Sequence, residues 1–349
     1  MRVPKAFFEL AYEFDRSLRR ARATVQQQFG VRPPLRIVPY RGYGTRSRLR
    51  VRARVLLDRG ELPPELERGM VDGIRATVQR FRTEQIAHCP LTVRWETKTV
   101  HAQTDEEGFL DELLALEPPE EAGWRSVELS LREDDGEETR ALCRVVDRSP
   151  RMIITDIDDT LIDSHITNRL RRAEAMFLGE VRRRRPFPET AELLQALARG
   201  AEEPNPVFYV SSSPWNLHDH LDHFLSVHDF PLGPILLRDW GLHRDGFAPD
   251  GRHGHKREKI ETILADLPAQ RAILIGDSGQ RDAENYRDLV WSQPERIAGV
   301  MIRRVAMRPG RVHRYASWTD ELRATGIPFL EFTHSREAFE FARRNGWVP

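Results

Sequence analysis

The chain has 349 residues, room for two domains of ordinary size, and its 54 basic residues are balanced by 54 acidic ones. A net charge of zero supplies no global field to draw a nucleic acid or an anionic membrane. The two cysteines, Cys89 and Cys143, lie far apart without metal-ligand spacing, no stretch approaches the length of a membrane span, and Met1 to Glu9 holds no apolar core of signal-peptide length. These features predict a soluble, cytoplasmic protein with no nucleic-acid partner.

In chain order, residues 4–28 read as an amphipathic helix. Phe7, Leu10, Ala11, Phe14, Leu18 and Ala21 recur at spacings of three and four, with Arg16, Arg19, Arg20 and Arg22 on the other faces. Such a helix either packs on its own domain or lies on a membrane surface. From Leu35 the pattern turns to strands. Leu49 to Val55 alternates strictly, which puts Leu49, Val51, Ala53 and Val55 on one face and Arg50, Arg52 and Arg54 on the other. That arginine comb reads as a solvated, salt-bridged face, with acidic lipid headgroups as the other reading. Further strands are predicted at 91–95, 98–102, 108–110, 126–131 and 141–146, with Asp135-Gly136 as a hairpin turn and one helical insert near 64–83. Thr104 to Phe109 resembles the turn-and-strand signature of transthyretin-like sandwiches. Residues 31–148 are therefore expected to form a small β-sandwich-like domain after an N-terminal helix (1–30), with 149–349 as a third unit.

Pro150 interrupts strand pairing just before the stretch on which that third unit is organised. Met152-Ile153-Ile154-Thr155 is an apolar run that ends in Asp156-Ile157-Asp158-Asp159-Thr160. A buried strand delivering charge to its carboxyl end has this form, and residues two apart in an extended chain share a side, so Asp156 and Asp158 can share a pocket. Carboxylates crowded in this way repel one another, and a hard divalent cation with oxygen ligands, Mg²⁺ by preference, resolves the repulsion. The other reading is a solvated acidic turn.

Predicted strands at 152–155, 207–210, 234–237, 272–276 and 298–302 alternate with helices, the pattern of a parallel α/β sheet. In such sheets the ligand crevice lies beyond the carboxyl ends of the strands. Three more stretches sit there. Val207 to Val210 runs into Ser211-Ser212-Ser213-Pro214-Trp215, where a hydroxyl beside backbone amides can hold a phosphate oxygen. Lys256 opens a helical pattern that continues through Ile260, Ile263, Leu264 and Leu267, with Lys259 one turn on. Ala272 to Ile275 runs into Gly276-Asp277, with Asp282 five residues later, positions from which Asp277 can complete a metal shell and Asp282 can orient it. Helices are also expected at 166–181, before Arg182 to Arg185, and at 189–199, stopped by Gly200. A last strand at 327–332 precedes a closing helix capped by Ser335 and stopped by Gly346.

Asp-x-Asp-x-Thr, a strand-end serine, a lysine and Gly-Asp-x4-Asp, in that order, resemble the motif set of haloacid dehalogenase superfamily phosphatases. Thr155 to Thr160, Phe208 to Leu217, Leu237 to Gly241 and Ile275 to Gln280 resemble the catalytic domain of actin-patch-type, lipin-related phosphatidate phosphatases. The resemblance spans about residues 150–335. It implies a Rossmann-like parallel sheet of the haloacid dehalogenase type with a small helical insert. It also implies a Mg²⁺-dependent phosphomonoesterase that converts phosphatidate to diacylglycerol and phosphate through an aspartyl-phosphate. Mapped motif by motif, Asp156 is the nucleophile, Asp158 the acid and base, and Ser211 and Lys256 the partners of the phosphoryl oxygens. The metal falls to Asp156, the backbone carbonyl of Asp158, Asp277 and Asp282. Thr160, Ser212, Trp215 and Arg238 are expected at the substrate. Arg303-Arg304 departs from the Arg-Asp expected of near relatives, which removes any ion pair built on that aspartate. Two other readings remain: a phosphatase for a soluble phosphomonoester or a nucleic-acid 3′-phosphate end, and a membrane-recruited scaffold without activity. Arg182 to Arg185 with the first helix would supply peripheral contact with an anionic membrane.

Overall fold

The structure is a computed structural model and describes residues 35–57, 85–96, 98–117, 119–131, 138–162, 185–200, 203–238, 240–243, 246–249, 255–307 and 309–348. The helices expected at 4–28, 64–83 and 166–181, the turn at Asp135-Gly136, and Arg182 to Arg184 lie outside the described residues.

The first half is built of strands β1 (Leu35–Thr45), β2 (Arg48–Leu57), β3 (Pro90–Trp95), β4 (Lys98–Gln103), β5 (Phe109–Ala115), β6 (Gly123–Leu131) and β7 (Thr139–Val146). They join one hydrogen-bonded sheet of seven strands in the order β4-β3-β6-β7-β1-β2-β5. All pairs are antiparallel except β1 with β7. The period-two pattern fixes the inner face: Leu49, Val51, Ala53 and Val55 are fully buried against Leu91, Leu110, Val127, Leu129, Cys143 and Val145. The turn before β5 is closed by Asp105, whose Oδ1 accepts from the amides of Glu107 (2.9 Å) and Phe109 (2.8 Å). Gly108 sits there at φ 77°, and a Cβ would stand 2.9 Å from the Val55 carbonyl, so only glycine fits.

The second half is a parallel sheet of six strands, β8 (Arg151–Thr155), β9 (Val207–Pro214), β10 (Ile235–Arg238), β13 (Arg271–Asp277), β14 (Ile297–Arg303) and β15 (Phe329–Phe332), in the order β10-β9-β8-β13-β14-β15. A separate hairpin of β11 (Trp240–His243) and β12 (Gly246–Pro249), which periodicity did not reveal, follows β10. The helices are α1 (Thr190–Arg199), α2 (His218–Val227), α3 (His255–Asp266), α4 (Asp282–Ser292), α5 (Pro309–Ala324) and α6 (Ser335–Arg344). Strands buried on both faces read as unbroken apolar runs, and here alternate residues serve opposite cores. Ile153, Tyr209 and Ile275 pack with α1, α2 and α6, whereas Met152, Ile154, Phe208 and Leu274 pack with α3, α4 and α5. Gly200 (φ 63°) and Gly346 (φ 64°) end α1 and α6 as expected. The N-cap of α6 is His334 rather than Ser335, closed by Glu337 in a capping box, because the Ser335 hydroxyl is taken by Arg303.

The arginine comb of β2 requires a correction. Arg52 and Arg54 are 7% and 5% exposed: Trp215 of the second half lies against Arg52, while Phe109 and the Glu107 carbonyl hold Arg54. Arg50 bonds Asp266 at the end of α3 at 2.6 Å and Asp111 at 2.8 Å. The Arg52 guanidinium lies 5.1 Å from the Trp215 ring, and that of Arg54 lies 4.2 Å from Phe109. Tyr40 and Tyr43 of β1 enter the cores of the parallel sheet, with Tyr43 edge-on to Phe208 at 4.9 Å. The comb is a cemented junction between two layers, not a lipid-facing surface.

Candidate active site

The parallel sheet delivers its polar residues to one edge. β8 ends in Asp156, β9 carries Ser211 and Ser213 in its last turn, β13 ends in Asp277, and α3 presents Lys256 from its second position. Asp156, Asp158, Lys256, Asp277 and Asp282 are all less than a tenth exposed. Gly276 permits the tightest approach. A Cβ there would lie 2.6 Å from Asp282 Oδ2, so the glycine lets Asp282 lean back and accept the Asp277 amide at 3.1 Å.

Asp156 is held by both carboxylate oxygens. Lys256 Nζ donates to Oδ1 at 2.7 Å and the Thr160 hydroxyl to Oδ2 at 3.0 Å. Lys256 also donates to Asp282 Oδ1 at 2.6 Å. One oxygen of each of Asp156, Asp277 and Asp282 falls within 4.8 Å of the others, which groups the three without the carboxylate of Asp158. Asp277 Oδ1 accepts from the amides of Gly279 (2.6 Å) and Gln280 (2.9 Å), while its Oδ2 is buried without a hydrogen-bond donor among the described residues.

The electrostatics follow from burial. Burial raises Asp156 to about 7, with Asp282 and Asp158 adding to the shift and Lys256 opposing it. Burial, then Asp282 and Asp156, hold Asp277 well above the usual carboxylate range. Burial works against the charge of Lys256, but Asp156 and Asp282 outweigh it and keep the ammonium above its ordinary value. One ammonium faces three buried carboxylates here, and the donors are all oxygen. An orphaned carboxylate oxygen in such a group fits a hard divalent cation.

Asp158 turns the other way. Its Oδ2 accepts from the hydroxyls of Ser211 (2.9 Å) and Ser213 (2.7 Å), and its backbone carbonyl accepts from Gln280 Nε2 at 3.2 Å. The Ser211 hydroxyl also accepts the Ser213 amide at 2.9 Å, so in this arrangement Ser211 orients Asp158. Ser213 and Gln280 joined the site without a prior signal beyond standing inside the quoted motifs. Ser212 is half-buried in the same turn, and Arg238 is half-buried at the end of β10.

Trp215 is 4% exposed and packs on Tyr40 (4.7 Å) and Phe109 (5.2 Å) at the layer junction. Lys259 stands 5.1 Å from the same ring, which leaves Lys256 as the lysine that reaches the carboxylates. Arg303, the last residue of β14, is a further residue that sequence reasoning did not place at the site. It is 2% exposed and donates to the carbonyls of Thr160 (2.9 Å) and Thr333 (3.0 Å) and to the hydroxyls of Thr190 (3.1 Å) and Ser335 (2.9 Å).

Residues 151–304, the segment that contains Asp156, Asp158, Ser211, Lys256, Asp277, Asp282 and Arg303, match the family model for the catalytic domain of phosphatidate phosphatase APP1. This segment resembles an APP1-type catalytic domain. An uncharacterised protein of Schizosaccharomyces pombe is 32% identical over 165 residues, covering 46% of this chain and 26% of that protein. The phosphatidate phosphatase APP1 of Saccharomyces cerevisiae is 33% identical over 96 residues, covering 28% of this chain and 16% of that protein. The chain thus spans about a quarter or less of the length of these relatives. Among solved structures, a carbohydrate acetylesterase of Xanthomonas citri aligns at 10% identity over 88% of this chain and 64% of its own, with a TM-score of 0.24. The matched segment begins at the first residue of β8 and ends just past Arg303, so it includes every polar group described above except the anchors Thr333 and Ser335.

Proposed function

We propose that the chain is a Mg²⁺-dependent phosphomonoesterase acting on phosphatidate, with residues 149–349 as a haloacid-dehalogenase-type phosphatase unit and residues 31–148 as a sheet that braces it. The observation that carries this reading is the buried group of Asp156, Asp277 and Asp282 around Lys256, with Asp158 two residues from Asp156 on a separate hydroxyl pair. Phosphatidate enters because residues 151–304 match the APP1 catalytic-domain model and a yeast phosphatidate phosphatase is similar to this chain over 96 residues. Mg²⁺, held by Asp156, Asp277, Asp282 and the Asp158 carbonyl, would neutralise charge on the phosphoryl group.

The chain's own residues then divide the work. A carboxylate oxygen of Asp156 attacks phosphorus while the phosphorus–oxygen bond to the leaving alkoxide breaks, which splits hydrolysis into two easier steps. Asp158, steered by Ser211 and Ser213, gives its proton to that alkoxide. It then accepts a proton from the water that attacks the aspartyl-phosphate, restoring Asp156 and releasing inorganic phosphate. Lys256 and Thr160 hold the Asp156 carboxylate in one orientation throughout, so less ordering is left for the reaction itself.

Among the described residues no helix is long and apolar enough to cross a membrane. The reading is of a cytoplasmic enzyme that meets phosphatidate by peripheral contact with an anionic bilayer. The test is phosphate release from phosphatidate-containing vesicles and from a soluble phosphomonoester, each with Mg²⁺ and with chelator. Release from vesicles only with the metal is expected. Release from the soluble ester alone replaces phosphatidate by a soluble substrate, and no release from either returns the chain to a non-catalytic scaffold.

A further inference from the structure

Arg303 is a buried cation built into the frame around the nucleophile. Its side chain leaves the end of β14 and reaches two loops at once. On one side Nε donates to the Thr160 carbonyl at 2.9 Å, and the hydroxyl of that same Thr160 donates to Asp156 Oδ2 at 3.0 Å. On the other side the guanidinium reaches the Thr333 carbonyl and the hydroxyls of Thr190 and Ser335, which hydrogen-bond each other at 2.9 Å. The guanidinium is fitted between rings, 4.2 Å from Phe187 and 4.7 Å from Phe332. Its backbone serves the second loop of the site: the Arg303 carbonyl accepts the amide of Ser278, the residue after Asp277, at 2.9 Å.

One residue therefore ties the loop that bears Asp156 and the loop that bears Asp277 to the start of α1 and the start of α6. A planar fork with several fixed donors can hold these directions together, whereas an ammonium on a flexible stem cannot. We propose that Arg303 is a positioning residue for the phosphatase reaction, setting the orientation of the Asp156 carboxylate through Thr160 without touching substrate. This rests on the phosphatase reading. Misplacing a nucleophile by about 1 Å costs about 10²-fold in rate. The loss is expected in kcat, because no substrate contact is removed.

The surroundings allow a direct test. Arg303 forms part of the wall of a cavity of about 250 Å³ that is also bounded by Phe187, Glu189, Thr333 and Arg336. Truncation to alanine joins the vacated space to that cavity, so a guanidinium ion from solution can enter and meet the same acceptors. The full chain, wild type and Arg303→Ala, is assayed on a soluble phosphomonoester with Mg²⁺, with and without millimolar guanidinium, and with equal urea as control. Arg303→Ala is expected to lose about 10²-fold in kcat with KM little changed, and guanidinium but not urea is expected to return about tenfold. A thermal melt checks that guanidinium does not act by restoring the fold. A kcat within about threefold of wild type, or a loss that guanidinium leaves untouched, overturns the proposal. If the alanine variant fails to fold, Arg303→Lys decides: a loss of about tenfold or more in kcat at unchanged KM supports positioning, and near-wild-type kcat overturns it. An inactive wild type instead overturns the phosphatase reading, and the positioning role with it.

Discussion

Asp277→Asn separates the stability of the buried triad from its function. A carboxyl whose folded pKa is raised stays protonated in the fold at pH values where the unfolded chain has already ionised it. Its contribution is intact below the unfolded value and is lost as pH rises through the folded one. For Asp156 the interval runs from 3.8 to about 7, about three units, or about 4 kcal/mol at ~1.36 kcal/mol per unit. Asp277 is shifted in the same direction by burial and by Asp282 and Asp156, so it adds to the loss. Metal-free wild type should therefore lose stability across the weakly acidic range and remain weakened above about pH 7. Asparagine keeps an oxygen for the Gly279 and Gln280 amides and carries no charge to bury. In chelator at about pH 8 the variant should melt above wild type. Mg²⁺ at a hundredfold excess over its Kd should then stabilise wild type by about 2.7 kcal/mol and the variant by far less, reversing the order. Thermal melts with and without Mg²⁺ over this pH range read both effects, and phosphate release confirms that the variant is inactive. A variant that melts below wild type in chelator, or that gains as much from Mg²⁺, refutes the argument.

Other expectations follow from the same contacts. Asp158→Asn should lower turnover by about 10²–10⁴-fold while phosphate still transfers slowly to Asp156; a loss below about tenfold would assign the acid elsewhere. Asp266→Ala removes the more buried of the two carboxylates paired with Arg50, leaving Asp111, and should cost about 1.5–3 kcal/mol, read in denaturant melts; an unchanged midpoint would show that the junction carries little stability. Neutralising Arg182 to Arg185 should reduce activity on phosphatidate vesicles more than on a soluble ester, with vesicle binding that weakens as salt rises; equal loss on both would assign these arginines to folding or to phosphate binding.

The acidic cluster of this protein was legible because it is written in contiguous residues at strand ends. Asp156 to Thr160, Lys256 and Gly276 to Asp282 need only the rule that polar groups collect at the carboxyl edge of a parallel sheet. The alternation of Leu49, Val51, Ala53 and Val55 likewise settled which face of β2 is apolar. It could not settle what lies on the opposite face. Whether an arginine comb meets water, lipid or a second layer depends on contacts such as Arg50 with Asp266, 216 residues apart, and no local pattern encodes them. The same holds for Trp215, which stands beside the serine motif in sequence yet packs into the junction through Tyr40 and Phe109. Ser211 looked like a phosphate ligand at the end of its strand, but the side chain that reaches it is decided by how the Asp158 loop folds back. Arg303 was the hardest to read. Its worth lies in four partners drawn from Thr160, Thr190, Thr333 and Ser335, the farthest 143 residues away, and only the closed fold brings them around one guanidinium.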